Sequence, residues 1–187
     1  MTAVARSVHI MSGGLGGFAQ ITDCLYIGNG KTANDSSVIR SLNITCVINA
    51  TTQDTRNANI PTMDYMRVSV SDDPESRLAE HFDAVADKIQ QVCEEHGRVL
   101  VHCNAGVSRS ASLCLAFLMK HCHHTLAEAH THLKAQRPII RPNPGFWRQL
   151  IEYERKIHGE NTVRMINSPV GDIPDLYERE TRGLIPL

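Results

Sequence analysis

The sequence predicts an α/β fold with a central, mostly parallel sheet flanked by helices. Two observations support this prediction. Short apolar segments alternate along the chain with segments of helical periodicity. One of the apolar segments, residues 99–101, leads into a tight glycine-containing turn and then into a long apolar stretch. A buried strand followed by a loop and a helix is typical of parallel sheets with covered faces.

The other strands are predicted from composition and alternation. Residues 19–22 and 25–28 form an opening pair, and residues 45–49 are apolar and β-branched, as expected of a central strand. Met66, Val68 and Val70 alternate with polar residues, which predicts a half-buried strand.

The helices are predicted from capping signals and periodicity. Five segments qualify: a helix capped by Asn34 or Asp35 that ends near Leu42, an amphipathic helix over residues 78–92, an apolar helix opened by Arg109 and Ser110, a helix that begins with the capping box at Thr125–Glu128, and a helix that runs from Asn143-Pro144 to Gly159.

A chain of 187 residues suits one domain with a tail. We predict a flexible N-terminal lead-in over residues 1–17, a catalytic domain over residues 18–160 and a C-terminal tail over residues 161–187. The tail is too apolar for disorder, so we expect it to pack back on the domain, with a partner-binding segment as the alternative. Within it, a strand at 162–166, a turn at 168–171 and a short helix at 175–182 are predicted, with an ion pair between Glu178 and Arg182.

The net charge of −1 argues against nucleic acid or an anionic membrane as partner, and no apolar run is long enough to span a bilayer. The six cysteines show no paired spacing, so reduced thiols and an intracellular site are predicted. The cytoplasm is the expected compartment, and the nucleus is left open. Mitochondria are also left open, because residues 1–22 contain no acidic residue. The oligomeric state is not predicted.

The segment from His102 to Ser110 carries the chemistry. A strand, a tight loop and a helix N-terminus form an anion site, because loop amides and the helix dipole converge there. Cys103 lies at the bottom of this site and Arg109 at its rim, where a guanidinium matches two phosphate oxygens. Gly106 allows the tight turn. The predicted phosphate-binding residues are Asn104, Ala105, Gly106, Val107, Ser108 and Arg109.

A cysteine in such a cradle suggests a thiolate that attacks phosphorus, since backbone donors and a helix N-terminus lower a thiol pKa. Ser110 is expected to donate a hydrogen bond to the sulfur when it leaves. His102 is expected to order the loop rather than to transfer protons. The alternative is a buried structural cysteine beside a surface arginine.

The pattern His-Cys-x-x-Gly-x-x-Arg-Ser over residues 102–110 resembles the signature of the cysteine-dependent protein phosphatases. The form of residues 105–111 resembles the dual-specificity branch, and residues 18–160 resemble its small atypical members. The resemblance implies the phosphatase fold, phosphoprotein substrates such as MAP kinase pathway proteins, and no cofactor or metal.

Expulsion of an alcohol or phenol from phosphate needs a proton donor. In the family that this chain resembles, the acid lies about thirty residues before the cysteine, and Asp72 lies 31 residues before Cys103. Asp73 is the alternative acid, although its place before Pro74 also suits a turn. The family also has an asparagine before its last helix, which implies that Asn143 supports the phosphate loop or the acid loop; a cap for the helix is compatible with that role.

Cysteines also occur in two other features of the sequence. The run His121, Cys122, His123 and His124 invites a metal interpretation, but adjacent side chains between two helices diverge, so a solvated helix end is predicted. Cys114 lies in an apolar helix and is predicted to be a core residue.

We therefore predict a phosphatase that hydrolyses phosphotyrosine and phosphoserine or phosphothreonine through a cysteinyl-phosphate, with Cys103 as nucleophile and Asp72 as acid. A phosphoinositide phosphatase, a phosphopeptide-binding module and a tyrosine-only enzyme are the alternatives. The uncharged loop residues Asn104, Ala105, Val107 and Ser108 weigh against a polyanionic lipid headgroup.

Overall fold

A computed structural model describes residues 16–54, 60 and 63–182 of the chain. Its main sheet contains five strands, which are β1 (Phe18–Gln20), β2 (Leu25–Asn29), β3 (Cys46–Asn49), β4 (Asp64–Arg67) and β5 (Val99–Cys103). The strand order is β1-β2-β5-β3-β4. Strand β1 is antiparallel to β2, and the other neighbours are parallel. The predicted α/β class with a mostly parallel sheet is confirmed.

Helices cover both faces of the sheet. The helices are α1 (Gly30–Asn34), α2 (Ser36–Ser41), a 3-10 turn (Leu78–His81) that continues into α3 (Phe82–Glu94), α4 (Arg109–His121), α5 (Leu126–Gln136) and α6 (Pro144–His158). Helices α1 and α2 lie on one face, against the smaller apolar cluster that includes Ile39, Val47 and Leu100. Helices α3 to α6 contribute to the larger cluster on the other face.

Helix α4 is the centre of the fold. All of its residues from Arg109 to Met119 are buried. Strand β5, which precedes it, is also buried along its whole length and lies between β2 and β3. The connection from β5 to α4 is therefore held between two well-packed elements, and rigid elements of this kind position a functional loop accurately.

The predicted helix boundaries agree with the structure where capping chemistry defines them. The carboxylate of Asp35 accepts hydrogen bonds from the amides of Ser37 and Val38. Thr125 and Glu128 form the predicted capping box. Asn143 caps the start of α6 (Pro144–His158), and Gly159, in the left-handed conformation (φ 83°), caps its end. Helix α1 was not predicted; it is a single turn capped by Asn29.

The predicted strand over residues 66–71 is wrong over most of its length. Strand β4 begins at Asp64 and ends at Arg67, because its parallel partner β3 ends at Asn49. The amide of Val68 still donates to the carbonyl of Asn49 at 2.8 Å, after which the ladder stops. Val68 and Val70 are buried nevertheless, and the chain beyond them is free to form a loop.

The tail forms a small hairpin and a helical turn beside α6. Its elements are β6 (Met165–Ser168), β7 (Gly171–Pro174), a 3-10 turn (Asp175–Tyr177) and α7 (Glu178–Thr181). The predicted strand at 162–166 therefore begins too early, because Thr162 donates from its amide and its hydroxyl to the carboxylate of Glu154 instead of joining a ladder. The predicted ion pair between Glu178 and Arg182 is present at 3.5 Å.

The prediction of six reduced cysteines is wrong for two of them. Cys24, just before β2, and Cys93, in the last turn of α3, form a disulfide with Cα atoms 5.5 Å apart. The two cysteines are 69 residues apart in sequence, so no local pattern indicates the bridge. They meet because β2 pairs with β5 and α3 packs beside these strands. Cys46, Cys103, Cys114 and Cys122 are free. The intracellular prediction loses the part of its support that came from Cys24 and Cys93.

Part of the predicted lead-in, residues 1–15, lies outside the described residues, as do residues 183–187 of the predicted tail and most of the polar loop after β3. Within the described ranges, no helix has both the length and the apolar character that a membrane crossing requires.

Candidate active site

The loop between β5 and α4 places Cys103 at the floor of a cradle. Its sulfur is 3.3 Å from the amide nitrogen of Gly106 and 3.2 Å from the hydroxyl oxygen of Ser110. Gly106 has φ 68°, a conformation that favours glycine. Cys103 is 2 % exposed, so these donors, rather than water, surround the sulfur.

The same surroundings favour the thiolate. Burial by itself raises the pKa of the Cys103 thiol, but hydrogen bonds from the Ser110 hydroxyl and from the amides of Ser110, Val107 and Gly106 outweigh it and lower that pKa below the ordinary 9.0. Donors that bond to the charged form of a group stabilise that form. A thiolate is the form of cysteine that acts as a nucleophile, so these surroundings suit the predicted role of Cys103.

Arg109 lies in the first turn of α4 and is 5 % exposed. One terminal nitrogen, Nη1, donates to the carbonyl of Val70 at 3.0 Å. Its Nε makes no hydrogen bond within the described part of the chain. A buried guanidinium with an unused donor is poised for an anionic ligand. Its bond to Val70 also ties the cradle to the segment that leads to Asp72.

Asp72 and Asn143 meet at the edge of this cradle. The amide nitrogen Nδ2 of Asn143 donates to Oδ1 of Asp72 at 2.9 Å. The side-chain oxygen of Asn143 accepts from the amide of Phe146, and its backbone amide donates to the hydroxyl of Ser108 at 3.1 Å. The two roles considered for Asn143, helix cap and loop support, are thus both present in the geometry.

Asp73 faces a different environment. Its carboxylate accepts from the amide of Glu75 at 2.8 Å, and its carbonyl accepts from the amide of Ser76. These bonds are those of a local turn, which aspartate commonly initiates. Of the two candidate acids, the structure joins Asp72 to the cradle and gives Asp73 a turn-forming role.

Helix α6 holds the segment that follows Asp72, and this contact was not predicted from the sequence. The side-chain oxygen of Gln149 accepts from the amide of Ala79, and its nitrogen donates to the carbonyl of Ser76, each at 2.8 Å. A Cβ atom on Gly145 would lie 1.9 Å from the carbonyl oxygen of Pro74, so only glycine permits this approach. No sequence signal identified either residue, because the contacts span about 70 positions.

His102 is buried beneath the cradle. Burial lowers its pKa to about 4, against a smaller opposing effect from the backbone of Cys103. The ring is therefore neutral at physiological pH. Neither ring nitrogen of His102 hydrogen-bonds a described residue, so its role in ordering the loop stays a prediction.

The run at residues 121–124 does not converge. His121 bonds the carboxylate of Asp87 at 2.9 Å, whereas the ring of His124 packs on that of His132. Among the described residues, no group of three or more potential ligands could hold a metal ion. Cys114 is fully buried in α4, and burial raises its pKa far above the ordinary range.

Comparisons with known proteins agree with this geometry. Residues 25–156 match the model of the dual specificity phosphatase catalytic domain. The chain is 51% identical to dual specificity protein phosphatase 18 of Homo sapiens over 183 residues, which are 98% of this chain and 97% of that protein. It is 50% identical to dual specificity protein phosphatase 14 of Bos taurus over 177 residues, 95% and 89% of the two chains.

A solved structure extends the likeness to three dimensions. The crystal structure of human DUSP28 superposes with a TM-score of 0.73 at 31% identity and covers 76% of this chain and 96% of that one. Sequence, fold and the arrangement around Cys103 thus agree, and the chain belongs to the dual specificity phosphatase family.

Proposed function

We propose that this protein hydrolyses phosphotyrosine and phosphoserine or phosphothreonine in phosphoproteins through a cysteinyl-phosphate intermediate, without metal or cofactor. One observation carries the proposal: the Cys103 sulfur lies within hydrogen-bond distance of the Gly106 amide and the Ser110 hydroxyl, in surroundings that favour its thiolate. The names of the matched relatives support the same activity.

In the first step the Cys103 thiolate forms a bond to phosphorus while the bond from phosphorus to the leaving oxygen breaks. The amides of residues 104–109 and the guanidinium of Arg109 bind the three non-bridging oxygens. Asp72 gives its proton to the leaving oxygen, so that an alcohol or phenol departs rather than its anion.

In the second step water attacks the phosphorus of the cysteinyl-phosphate. Asp72, now a carboxylate, takes a proton from that water, and the sulfur leaves as a thiolate. Ser110 stabilises the departing sulfur by a hydrogen bond, for which its hydroxyl is already placed 3.2 Å away. Inorganic phosphate is then released.

The cradle side chains argue for phosphoprotein rather than lipid substrates. Apart from Arg109, the loop residues Asn104, Ala105, Val107 and Ser108 carry no charge. MAP kinases are a candidate substrate class that rests on family resemblance alone. Because the candidate substrates are intracellular proteins, we expect the activity to occur inside the cell, with the cytoplasm as the expected compartment.

The test compares three substrates at equal concentrations: a phosphotyrosine peptide, a phosphothreonine peptide and a soluble phosphoinositide. We expect hydrolysis of both peptides and at least tenfold weaker activity on the phosphoinositide. A preference for the phosphoinositide, or binding of phosphopeptides without phosphate release, would contradict the proposal. Capture of phosphoproteins by Cys103→Ser then identifies physiological substrates.

A further inference from the structure

The carbonyl groups of the phosphate-binding loop form a second set of contacts, which face away from Cys103. Because the loop turns its amides toward Cys103, its carbonyls point into the protein, where they need donors. All five carbonyls from residue 104 to residue 108 have one. In chain order the donors are the Gly30 amide, Arg137 Nη2, Arg137 Nε, the Arg141 amide and the Ser112 amide.

Arg137 stands out among these donors, because one side chain supports two consecutive loop carbonyls. Its Nε donates to the Gly106 carbonyl at 2.8 Å, and its Nη2 donates to the Ala105 carbonyl at 3.1 Å. Its remaining nitrogen, Nη1, donates to the carbonyl of Gly16 at 3.1 Å. A planar guanidinium fixes the directions of these bonds in a way that a flexible ammonium does not.

Gly106 is packed directly against this guanidinium. A Cβ atom at position 106 would lie 2.6 Å from the carbonyl oxygen of Gly28 and 2.8 Å from Nη2 of Arg137. The amide of the same glycine bonds the Cys103 sulfur. Arg137 therefore contacts Gly106, the residue whose amide donates a hydrogen bond to the sulfur, on the side away from the sulfur.

Within the part of the chain that the structure describes, Arg137 has no carboxylate partner for its charge. The side chain is 4 % exposed, and among the described residues no carboxylate forms an ion pair with it. A buried cation is costly unless an opposite charge lies near. Burial lowers the pKa of Arg137, and negative charge on Cys103 or Cys114 acts in the opposite direction. Because burial raises the pKa of Cys114 and keeps it a neutral thiol, the Cys103 thiolate is the charge that favours the charged guanidinium.

We propose that Arg137 is a positioning residue of the catalytic loop, which fixes the Ala105 and Gly106 peptide groups and balances the charge of the Cys103 nucleophile from the protein side. This inference rests on the proposed role of Cys103. Arg109 has a separate task, because its unused Nε remains available to substrate, whereas all three nitrogens of Arg137 are engaged by carbonyls.

The experiment separates the charge of Arg137 from its hydrogen-bond geometry. In Arg137→Met both are lost, and in Arg137→Lys the charge remains. The first readout is the pH midpoint for alkylation of Cys103 by iodoacetamide, followed by mass spectrometry of the peptide that contains it. The second is kcat/KM on a phosphotyrosine peptide.

We expect Arg137→Met to raise the alkylation midpoint by about one pH unit, the lower end of the effect of an adjacent opposite charge. Arg137→Lys should keep the wild-type midpoint but lower kcat/KM by about tenfold, since a single ammonium replaces the two-carbonyl fork. Arg148→Met is the matched control: this arginine pairs with Asp172 on the surface of α6, so its loss should change neither readout.

A wild-type midpoint and a wild-type kcat/KM in Arg137→Met would overturn the inference. An equal midpoint shift in the Lys and Met variants would overturn the charge role. If Arg137→Met does not fold, Arg137→Gln, which retains one donor for a carbonyl, is judged by the same criteria. Alkylation requires no turnover, so a wild-type protein that alkylates normally but hydrolyses no phosphoester would contradict the proposed function alone.

Discussion

Asn143 Nδ2 and Asp72 Oδ1 are joined by a hydrogen bond of 2.9 Å across 71 residues of sequence. The same asparagine begins α6 and bonds Ser108 through its backbone amide. Asn143 therefore contacts both the proposed acid and the phosphate-binding loop. Motion of either loop relative to α6 would change the distance between Asp72 and the bound phosphate.

The first prediction concerns Asp72. If it protonates the leaving oxygen, Asp72→Asn slows hydrolysis of substrates with poor leaving groups by roughly 10²–10⁴-fold. The loss is smaller for phenyl phosphates with acidic phenols, which depart without a proton. The decline of kcat at high pH, where the acid has lost its proton, also flattens. The measurements are kcat across a series of aryl phosphates and the pH profile of kcat.

Asp73→Asn is the control. Among the described residues, the Asp73 carboxylate accepts a hydrogen bond only from the turn amide of Glu75. This variant should retain the wild-type dependence on leaving-group pKa. If the dependence steepens in Asp73→Asn and not in Asp72→Asn, the two assignments must be exchanged. If it steepens in neither, the acid lies elsewhere.

A second prediction separates the two functions of Asn143. Serine also caps helices, so Asn143→Ser keeps the acceptor for the Phe146 amide and loses the donor to Asp72. One lost hydrogen bond of about 0.5–1.5 kcal/mol corresponds to a decrease in kcat of roughly 2–10-fold on poor leaving groups. The melting temperature should stay near that of the wild type. A drop in melting temperature with unchanged kcat would mean that capping is the only role of Asn143.

The third prediction concerns Ser110, whose hydroxyl lowers the pKa of Cys103. In Ser110→Ala that pKa rises, so the fraction of thiolate at a given acidic pH falls. The acidic limb of kcat/KM, which reports the free enzyme, moves to higher pH. The sulfur also becomes a poorer leaving group, and kcat decreases by about tenfold or more, as expected for a hydrogen bond to a charged group.

A pre-steady-state measurement with para-nitrophenyl phosphate distinguishes these effects. A burst of phenol followed by slow turnover indicates that breakdown of the cysteinyl-phosphate has become limiting. A pH profile identical to that of the wild type, with no burst, would remove Ser110 from both roles.

The arrangement of the candidate site could be predicted from sequence because it is local. Cys103, Gly106, Arg109 and Ser110 fall within eight residues, and one strand, one turn and one helix N-terminus determine their arrangement. The proposal of Asp72 as the acid depends on its spacing from Cys103 and on the family resemblance.

What the sequence did not indicate depends on tertiary packing. Arg137 contacts Gly106 across 31 positions, and Gln149 contacts Ser76 across 73. A lone arginine or glutamine carries no pattern that marks such a contact. The disulfide was missed for the same reason, and the strand after Met66 was overextended because the length of its partner could not be known.

The fourth prediction concerns the tail. Tyr177 is buried; its ring lies 5.6 Å from that of Trp147, and its hydroxyl is 3.1 Å from Nε2 of His130. Tyr177→Ala leaves a cavity, and loss of a large aromatic side chain costs about 3–5 kcal/mol. For a domain of this size the melting temperature should fall by roughly 6–20 °C. Kinetics at 25 °C should change little, because the ring is not in contact with Cys103 or Asp72.

Tyr177→Phe is the matched variant, since it removes only the hydroxyl and its hydrogen bond to His130. We expect it to lower the melting temperature by about 1–6 °C. If Tyr177→Ala melts at the wild-type temperature, the tail does not stabilise the domain, and the alternative interpretation as a partner-binding segment gains support.

The last prediction concerns the Cys24–Cys93 disulfide, which closes a loop of 69 residues between the start of β2 and the end of α3. A bridge of this span stabilises by about 2–4 kcal/mol, largely through the unfolded chain. Reduction with dithiothreitol should therefore lower the melting temperature by roughly 5–15 °C. The measurement is best made in Cys103→Ser, so that oxidation of the nucleophile does not contribute.

The double variant Cys24→Ser/Cys93→Ser should melt at the temperature of the reduced protein and should not respond to dithiothreitol. Cys122→Ser, which changes a half-buried free thiol, should respond to dithiothreitol like its parent. If intact mass shows no loss of two hydrogen atoms relative to the reduced protein after purification without reductant, the bridge does not form. In that case the original expectation of six free thiols is restored, and with it the compositional argument for an intracellular site. If the bridge forms and reduction lowers the melting temperature, the stability of this phosphatase depends on the redox state of its surroundings through two cysteines remote from the nucleophile in sequence.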